Sequence, residues 1–201
     1  MCKFKSFIVT KDKILYSLKE EFHTHILDEY GINDTKQCAD FVRVEFLPKN
    51  DIFDINLDNW KLKVDQDYIP DWFFVDAELP KLKKIMTEII IPEQIFIDQK
   101  DLIIKNNTVY VRDCIVHVHN HTYVKAYGTS KIKAYDKCKI CAYDNTEVEA
   151  YDESYIAAYD KYKICAYDES YIEAYDESRV YAKDKSIITI FDSAKIIRKE
   201  K

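Results

Sequence analysis

The chain has 201 residues, with 30 lysines and arginines against 36 aspartates and glutamates and a formal net charge of −6, enough for one or two small domains with a mild acidic excess. Its two glycines, Gly31 and Gly128, cannot furnish a G-x-G-x-x-G turn or a Walker-type phosphate cradle, which excludes Rossmann and P-loop nucleotide chemistry. A charged fraction of 33% leaves no apolar run of the ~18 residues a membrane span needs, and no apolar leader precedes Lys3 and Lys5. A soluble, cytoplasmic, unexported protein is expected.

In chain order, Phe4 to Thr10 and Ile14 to Ser17 read as a hairpin about Lys11-Asp12-Lys13. Residues Glu20 to Tyr30 place Phe22, Ile26, Leu27 and Tyr30 at helical spacing and stop at Gly31. His23 and His25 sit two apart on that helix, diverge, and are read as surface or boundary residues. FVRVEFL (Phe41 to Leu47) alternates as a strand and halts at Pro48, and WKLKV (Trp60 to Val64) alternates again. Ala77 to Ile90 reads as a helix with Pro80 in its first turn. All four prolines precede residue 93, a composition shift that divides the chain into an α+β domain (1–94), a strand-rich connector and cap (95–117) and a repeat region (118–201).

From Ala126 the chain runs in nine octads: AYGTSKIK, AYDKCKIC, AYDNTEVE, AYDESYIA, AYDKYKIC, AYDESYIE, AYDESRVY, AKDKSIIT and IFDSAKII. Val118 to Lys125 fits the same frame as an entry rung. Position 7 is always Ile or Val, and position 1 is Ala from Ala126 to Ala182. Successive strand residues face opposite ways, so positions 7 and 1 form the core, while positions 6, 8 and 2 point outward. The tyrosine and β-branched content favours strands, and the fold expected is a parallel β-solenoid in which like residues stack at a pitch of ~4.8 Å. Asp-x-Ser at positions 3 to 5 supplies each corner, the carboxylate expected to accept from the backbone N–H two residues on. Alternate position 6 residues separate into a charged set (Lys131, Glu147, Lys163, Arg179, Lys195) and a largely aromatic or apolar set (Lys139, Tyr155, Tyr171, Ile187). That predicts two octads per coil and about five coils; the alternative is a triangular prism of three octads per coil.

FVRVEF, followed by WKLKVDQDYIPDWF and the AYDxSxV octads, resembles a group of uncharacterised proteins encoded by tailed phages and prophages of gut bacteria. The resemblance covers nearly the whole chain. It implies a phage context and expression in the host cytoplasm, and it carries no catalytic residue or cofactor.

Four features bear on chemistry. His117, His119 and His121 in HVHNH alternate, so three imidazoles on one strand face are the weak candidates for a metal site; a polar edge strand is the plainer reading, and no fourth ligand is evident. Asp65, Asp67 and Asp71 in VDQDYIPDW could hold a divalent cation or act as an acid/base pair. They are equally a turn fixed by Pro70 and anchored by Trp72, and no G-x-S-x-G elbow accompanies them. Cys138 and Cys141 form a C-x-x-C at octad positions 5 and 8, on opposite sides of a strand, which suits reduced thiols better than a redox pair. The outward aromatic and acidic columns are the fourth: Tyr135, Tyr143, Tyr151, Tyr155, Tyr159, Tyr167, Tyr171 and Tyr175 with Glu153, Glu169 and Glu177. Tyrosine arrays suit protein recognition, or they stack simply to hold the solenoid.

These features favour a non-catalytic binding protein that engages a host protein through a tyrosine and acid face, without cofactor. Residues 142–178 carry eleven acids against two lysines, which raises the alternative of an acidic DNA mimic that inhibits a host nuclease or defence factor. A virion or assembly component, and an enzyme with an acidic N-terminal site, are also compatible with the sequence. No strongly basic face favours nucleic-acid binding. Ile187, Ile188, Ile190, Ile196 and Ile197 make the last coil apolar outside, so a homo-oligomer through that coil is expected.

Overall fold

The computed structural model describes residues 5–19, 21–33, 40–160 and 163–198; Phe4, Glu20, Cys2, Cys38, Lys199 and Lys201 lie outside them. The chain divides into two compact units, Met1–Glu93 and Gln94–Lys201. No helix among the described residues is long and apolar enough to cross a membrane.

The first unit is built on a four-stranded antiparallel sheet in the order β2-β1-β3-β4, from β1 (Lys5–Thr10), β2 (Ile14–Leu15), β3 (Phe41–Pro48) and β4 (Trp60–Val64). The expected hairpin and both alternating strands are present. Helix α1 spans His23–Glu29 and packs Ile26 and Leu27 against Ile8, Leu15 and Phe41 on one sheet face. Its buried stripe begins at His23 rather than at Phe22, which is 57% exposed, and Tyr30 is 43% exposed. Gly31 ends the helix at φ +66°, letting Ile32 N–H reach back to the Leu27 carbonyl at 2.9 Å. Helix α2 starts earlier than its periodicity indicates, at Val75, and runs to Ile85, so Pro80 falls in the second turn. A wide π-helical segment (Met86–Ile90) leads into α3 (Ile91–Gln94). Pro92 has no N–H to give and its ring displaces the carbonyl four residues back; the wider turn accommodates that displacement.

The second unit is a parallel β-solenoid of about six turns over residues 95–197. Its strands fall into two seven-stranded sheets. The front sheet holds β5 (Ile95–Ile97), β7 (Thr108–Arg112), β9 (Tyr123–Tyr127), β11 (Lys139–Ala142), β13 (Tyr155–Ala158), β15 (Tyr171–Ala174) and β17 (Ile187–Ile190). The rear sheet holds β6 (Leu102–Lys105), β8 (Ile115–His119), β10 (Lys131–Ala134), β12 (Glu147–Ala150), β14 (Lys163–Ala166), β16 (Arg179–Ala182) and β18 (Lys195–Arg198). Through the repeat each strand pairs in parallel with the residue sixteen further on, as Ile140 with Ile156 and Ile132 with Val148. One coil is therefore two octads, and the triangular prism is excluded. The segment expected to be a connector, 95–117, is itself coil. Its offsets are shorter, Ile95 pairing with Tyr110 and Leu102 with Val116, which takes it out of the octad frame.

The core is the two columns expected. Val124, Ile140, Ile156, Ile164, Ile172 and Val180 are fully buried, as are the alanines at position 1 from Ala126 to Ala174. Alanine stacks on alanine within each sheet (Ala134 on Ala150, Ala142 on Ala158). A methyl group beside each branched side chain lets the two sheets close on a thin, filled interior.

The corner works differently from the expectation. Asp136, Asp144, Asp152, Asp160, Asp168, Asp176, Asp184 and Asp192 all have φ between 53° and 82°, the left-handed region that Asp and Asn tolerate best among residues with a Cβ. Among the described residues, no bond to the N–H two residues on is found for the carboxylates of Asp136, Asp144, Asp152, Asp168 and Asp176. Instead they reach back one coil: Asp136, Asp144, Asp152, Asp168 and Asp176 accept from the N–H of residues 120, 128, 136, 152 and 160 at 2.9–3.3 Å. The Ser/Thr of position 5 closes the turn itself, donating its hydroxyl to the position 2 carbonyl in Thr122, Ser130, Thr146, Ser178 and Ser186 at 2.6–2.8 Å. Aspartate thus ties coil to coil, and serine ties strand to strand.

Candidate binding face of the solenoid

Strand parity sends positions 6, 8 and 2 outward, and the sixteen-residue coil sorts them onto two opposite faces. On the front sheet position 6 reads Tyr123, Lys139, Tyr155, Tyr171, Ile187 and position 2 reads Tyr127, Tyr143, Tyr159, Tyr175, Phe191. Between them position 8 reads Lys125, Cys141, Ala157, Glu173, Thr189. The position 2 rings form one continuous stack, with centroids 4.8, 5.3, 5.0 and 4.5 Å apart from Tyr127 to Phe191. Tyr155 and Tyr171 stack at 5.4 Å beside it. The spacing matches the coil pitch, so each pair adds ~0.5–1.5 kcal/mol beyond its buried area.

Side chains of the two rows reach over this column. Ala157 is buried although its side of the strand points outward. Tyr123 Oη lies 3.2 Å from Cys141 Sγ, Tyr171 Oη lies 3.4 Å from Thr189 Oγ1, and Tyr175 donates to Glu173 at 3.1 Å. Lys125 is buried under aromatic rings, its ammonium 4.9 Å from the Tyr110 centroid and 5.5 Å from that of Tyr123. Burial raises the phenol pKa of Tyr143, Tyr155, Tyr159 and Tyr175, and the Glu173 carboxylate adds to the rise at Tyr155 and Tyr175. Because ring faces are used between coils, this surface presents edges and hydroxyls, and it exposes a full ring face only where a stack ends.

Tyr135, Tyr151 and Tyr167 do not share this surface. They stack at 5.1 and 4.8 Å along the rear sheet, and Tyr151 donates to Glu149 at 3.1 Å. The rear face is otherwise led by charge: Lys131 lies on Glu147 at 3.5 Å and Lys133 on Glu149 at 3.4 Å, whereas Lys163, Arg179 and Lys195 follow one another in register along position 6. Glu153 and Glu169 lie at the rear-to-front corner, paired with Lys137 and Lys185 at 3.3 and 3.4 Å, whereas Glu177 lies at the opposite corner. The single tyrosine and acid face expected from the sequence is therefore two faces and two corners. Tyr123 and Phe191, which extend the front rows, were legible by octad position alone.

The three histidines do not converge. His117 and His119 lie on β8 and project on the same side, but His121 sits in the following turn. His117 and His119 both stack on Tyr135, at 6.3 and 4.8 Å, and His119 approaches Asp136 at 3.6 Å. They cap the rear aromatic ladder. Cys138 is buried with its Sγ against the Asn120 carbonyl at 3.3 Å, and burial pushes its thiol up to about 11. Cys141 lies on the outer side, and both are free thiols. In the first unit Asp67 and Asp71 are exposed, and Asp65 turns away from them toward His23 and Lys63. The turn that Pro70 sets is closed by Phe73 N–H on the Pro70 carbonyl at 2.9 Å, and Phe73 rather than Trp72 is the buried anchor. Comparison with protein-family models, with curated proteins and with solved structures finds no match to this chain.

Proposed function

We propose that the protein is a non-catalytic binding module that engages a partner protein through the front face of its solenoid. The observation that carries this reading is the asymmetry of the two faces. The front face is two largely aromatic rows, stacked coil on coil, that flank a column of Lys125, Cys141, Ala157, Glu173 and Thr189, whereas the rear face is led by charged side chains, some of them paired between coils. Tyrosine buries large area at little rotamer cost and keeps its hydroxyl for a hydrogen bond. Rings already ordered by stacking lose less entropy on association than free side chains do. Glu173, beside the Tyr175 hydroxyl, favours a partner that presents arginine or lysine to the face. The resemblance to tailed-phage proteins makes a host cytoplasmic protein the partner in this reading.

The test is affinity capture from host lysate with three baits: wild type, Tyr155→Ala with Tyr171→Ala, and Tyr135→Ala with Tyr151→Ala. A partner held by the first and third and lost by the second supports the front face. Loss by the third alone, or capture unaffected by either pair, contradicts it.

A second copy at the C-terminal coil is also proposed. Ile187, Ile190, Phe191 and Ile197 are 36–59% exposed there, along the free edges of β17 and β18.

A further inference from the structure

We propose that His23, Glu45 and Asp65 form a binding site for a first-row divalent metal ion of borderline hardness, Zn²⁺ being the representative, in which Lys63 is the stand-in cation of the metal-free protein. Ser6, Glu45 and Lys63 are successive cross-strand partners on β1, β3 and β4 and so share one sheet face. Asp65 follows two residues after Lys63 and is held by its own N–H on the Arg43 carbonyl at 2.9 Å. Helix α1 packs on this same face through Ile26 and Leu27, and its first residue, His23, lies at the group, its Nδ1 3.5 Å from Asp65 Oδ2. A ligand atom from each of His23, Glu45 and Asp65 lies within 4.8 Å of the other two. A small inward closure brings that set to the 2.0–2.2 Å metal–ligand distances of such ions.

The hydrogen bonding decides what the imidazole offers. His23 is 9% exposed, and its Nε2 lies 3.0 Å from the Val44 carbonyl, which can only accept, so Nε2 carries the proton. The ring's other nitrogen, Nδ1, is thereby turned to Asp65 Oδ2 at 3.5 Å, and in the neutral ring these are two acceptors that a cation would join. A histidine whose far N–H is fixed on a backbone carbonyl is also the arrangement metal-binding imidazoles adopt.

Two further observations point to a ligand. Lys63 bridges the two carboxylates, 3.2 Å from Glu45 and 3.1 Å from Asp65, from a side chain that is 50% exposed. One ammonium leaves the pair of carboxylates a net negative charge, whereas a divalent ion neutralises both and releases Lys63 to solvent. Ser6 Oγ, fully buried beside Glu45 in the cross-strand register, has no hydrogen-bond partner among the described residues, a polar atom placed for an outer-shell contact. One nitrogen with two carboxylates selects borderline ions over Ca²⁺ or Mg²⁺, and Asp65, 40% exposed, opens the entry path.

Zn²⁺ titrated calorimetrically into wild type, Asp65→Asn and Lys63→Met tests the site. Both changes fall on half-exposed side chains, and circular dichroism checks that the fold is retained. The cysteines and the 117–121 histidines are common to all three proteins, so only this site distinguishes them. Asp65→Asn is expected to weaken binding at least tenfold and Lys63→Met to tighten it severalfold. Equal isotherms in all three, weaker binding by Lys63→Met, or no binding by wild type would each overturn the proposal.

Discussion

Replacing one corner aspartate separates the two jobs this residue performs. Asp152 sits at φ 56°, accepts the Asp136 N–H at 3.0 Å, and opens a turn closed by Ser154 N–H on the Tyr151 carbonyl at 3.2 Å. Asp152→Asn keeps both the acceptor and the tolerance of left-handed backbone, so it costs under ~0.5 kcal/mol. Asp152→Gly keeps the backbone freedom and loses the bond, about 0.5 kcal/mol at this exposed site, with a further ~0.5 from the looser unfolded chain. Asp152→Ala loses the bond and adds the ~1–2 kcal/mol strain of a left-handed alanine, for a total near 2 kcal/mol. The expected order of stability is wild type, Asn, Gly, Ala. Both tryptophans, Trp60 and Trp72, lie in the first unit. Urea unfolding followed by tyrosine near-ultraviolet dichroism therefore reports the solenoid, and indole fluorescence reports the other unit. Equal losses for Gly and Ala would refute the role of backbone strain, and a loss for Gly no greater than that for Asn would refute the inter-coil bond.

The two glycines make a matched pair. Both have φ +66°, but a Cβ on Gly128 would run into the Asp113 carboxylate, which is held by Thr129 N–H and hydroxyl, whereas one on Gly31 meets open space. Gly31→Ala is expected to cost ~1 kcal/mol and Gly128→Ala at least twice that, each read by the probe of its own unit. The tyrosine rows predict an alkaline limit. Folded phenol pKa values are raised above 10.0 at Tyr143, Tyr151, Tyr155, Tyr159, Tyr167 and Tyr175, so the stability they contribute is complete below pH 10 and lost as pH rises beyond it. Tyrosinate absorbance should lag free tyrosine and then rise together with loss of dichroism; titration of these groups at the free value would contradict this. Light scattering is expected to give wild type a mass above 23.9 kDa and to return Ile187→Lys with Ile197→Lys to it; a wild-type monomer at micromolar concentration would contradict the C-terminal contact.

The repeat was legible because its core is two columns of nearly invariant residue type, and because charge alternates at position 6 with twice the octad period. Residues 95–117 escaped since coils offset by 14 or 15 residues (Leu102 to Val116, Ile95 to Tyr110) break that frame while forming the same sheets. The corner bonds escaped because a carboxylate reaching sixteen residues back leaves no local signature distinct from an Asx turn. The tyrosines read as one surface in the sequence; assigning Tyr143 and Tyr151 to opposite faces follows only once the coil period is applied to every outward column. His23 was hidden by a register difference of one residue against Phe22, whose larger apolar side chain is the stronger periodic signal yet lies in solvent.

The measurement that tests the front face most directly is tyrosine nitration of the protein, free and saturated with its captured partner, mapped residue by residue. Protection of Tyr155 and Tyr171 with unchanged reactivity at Tyr135, Tyr151 and Tyr167 is the predicted result. Protection along the rear ladder, or no change at Tyr155 and Tyr171, would contradict binding through the front face.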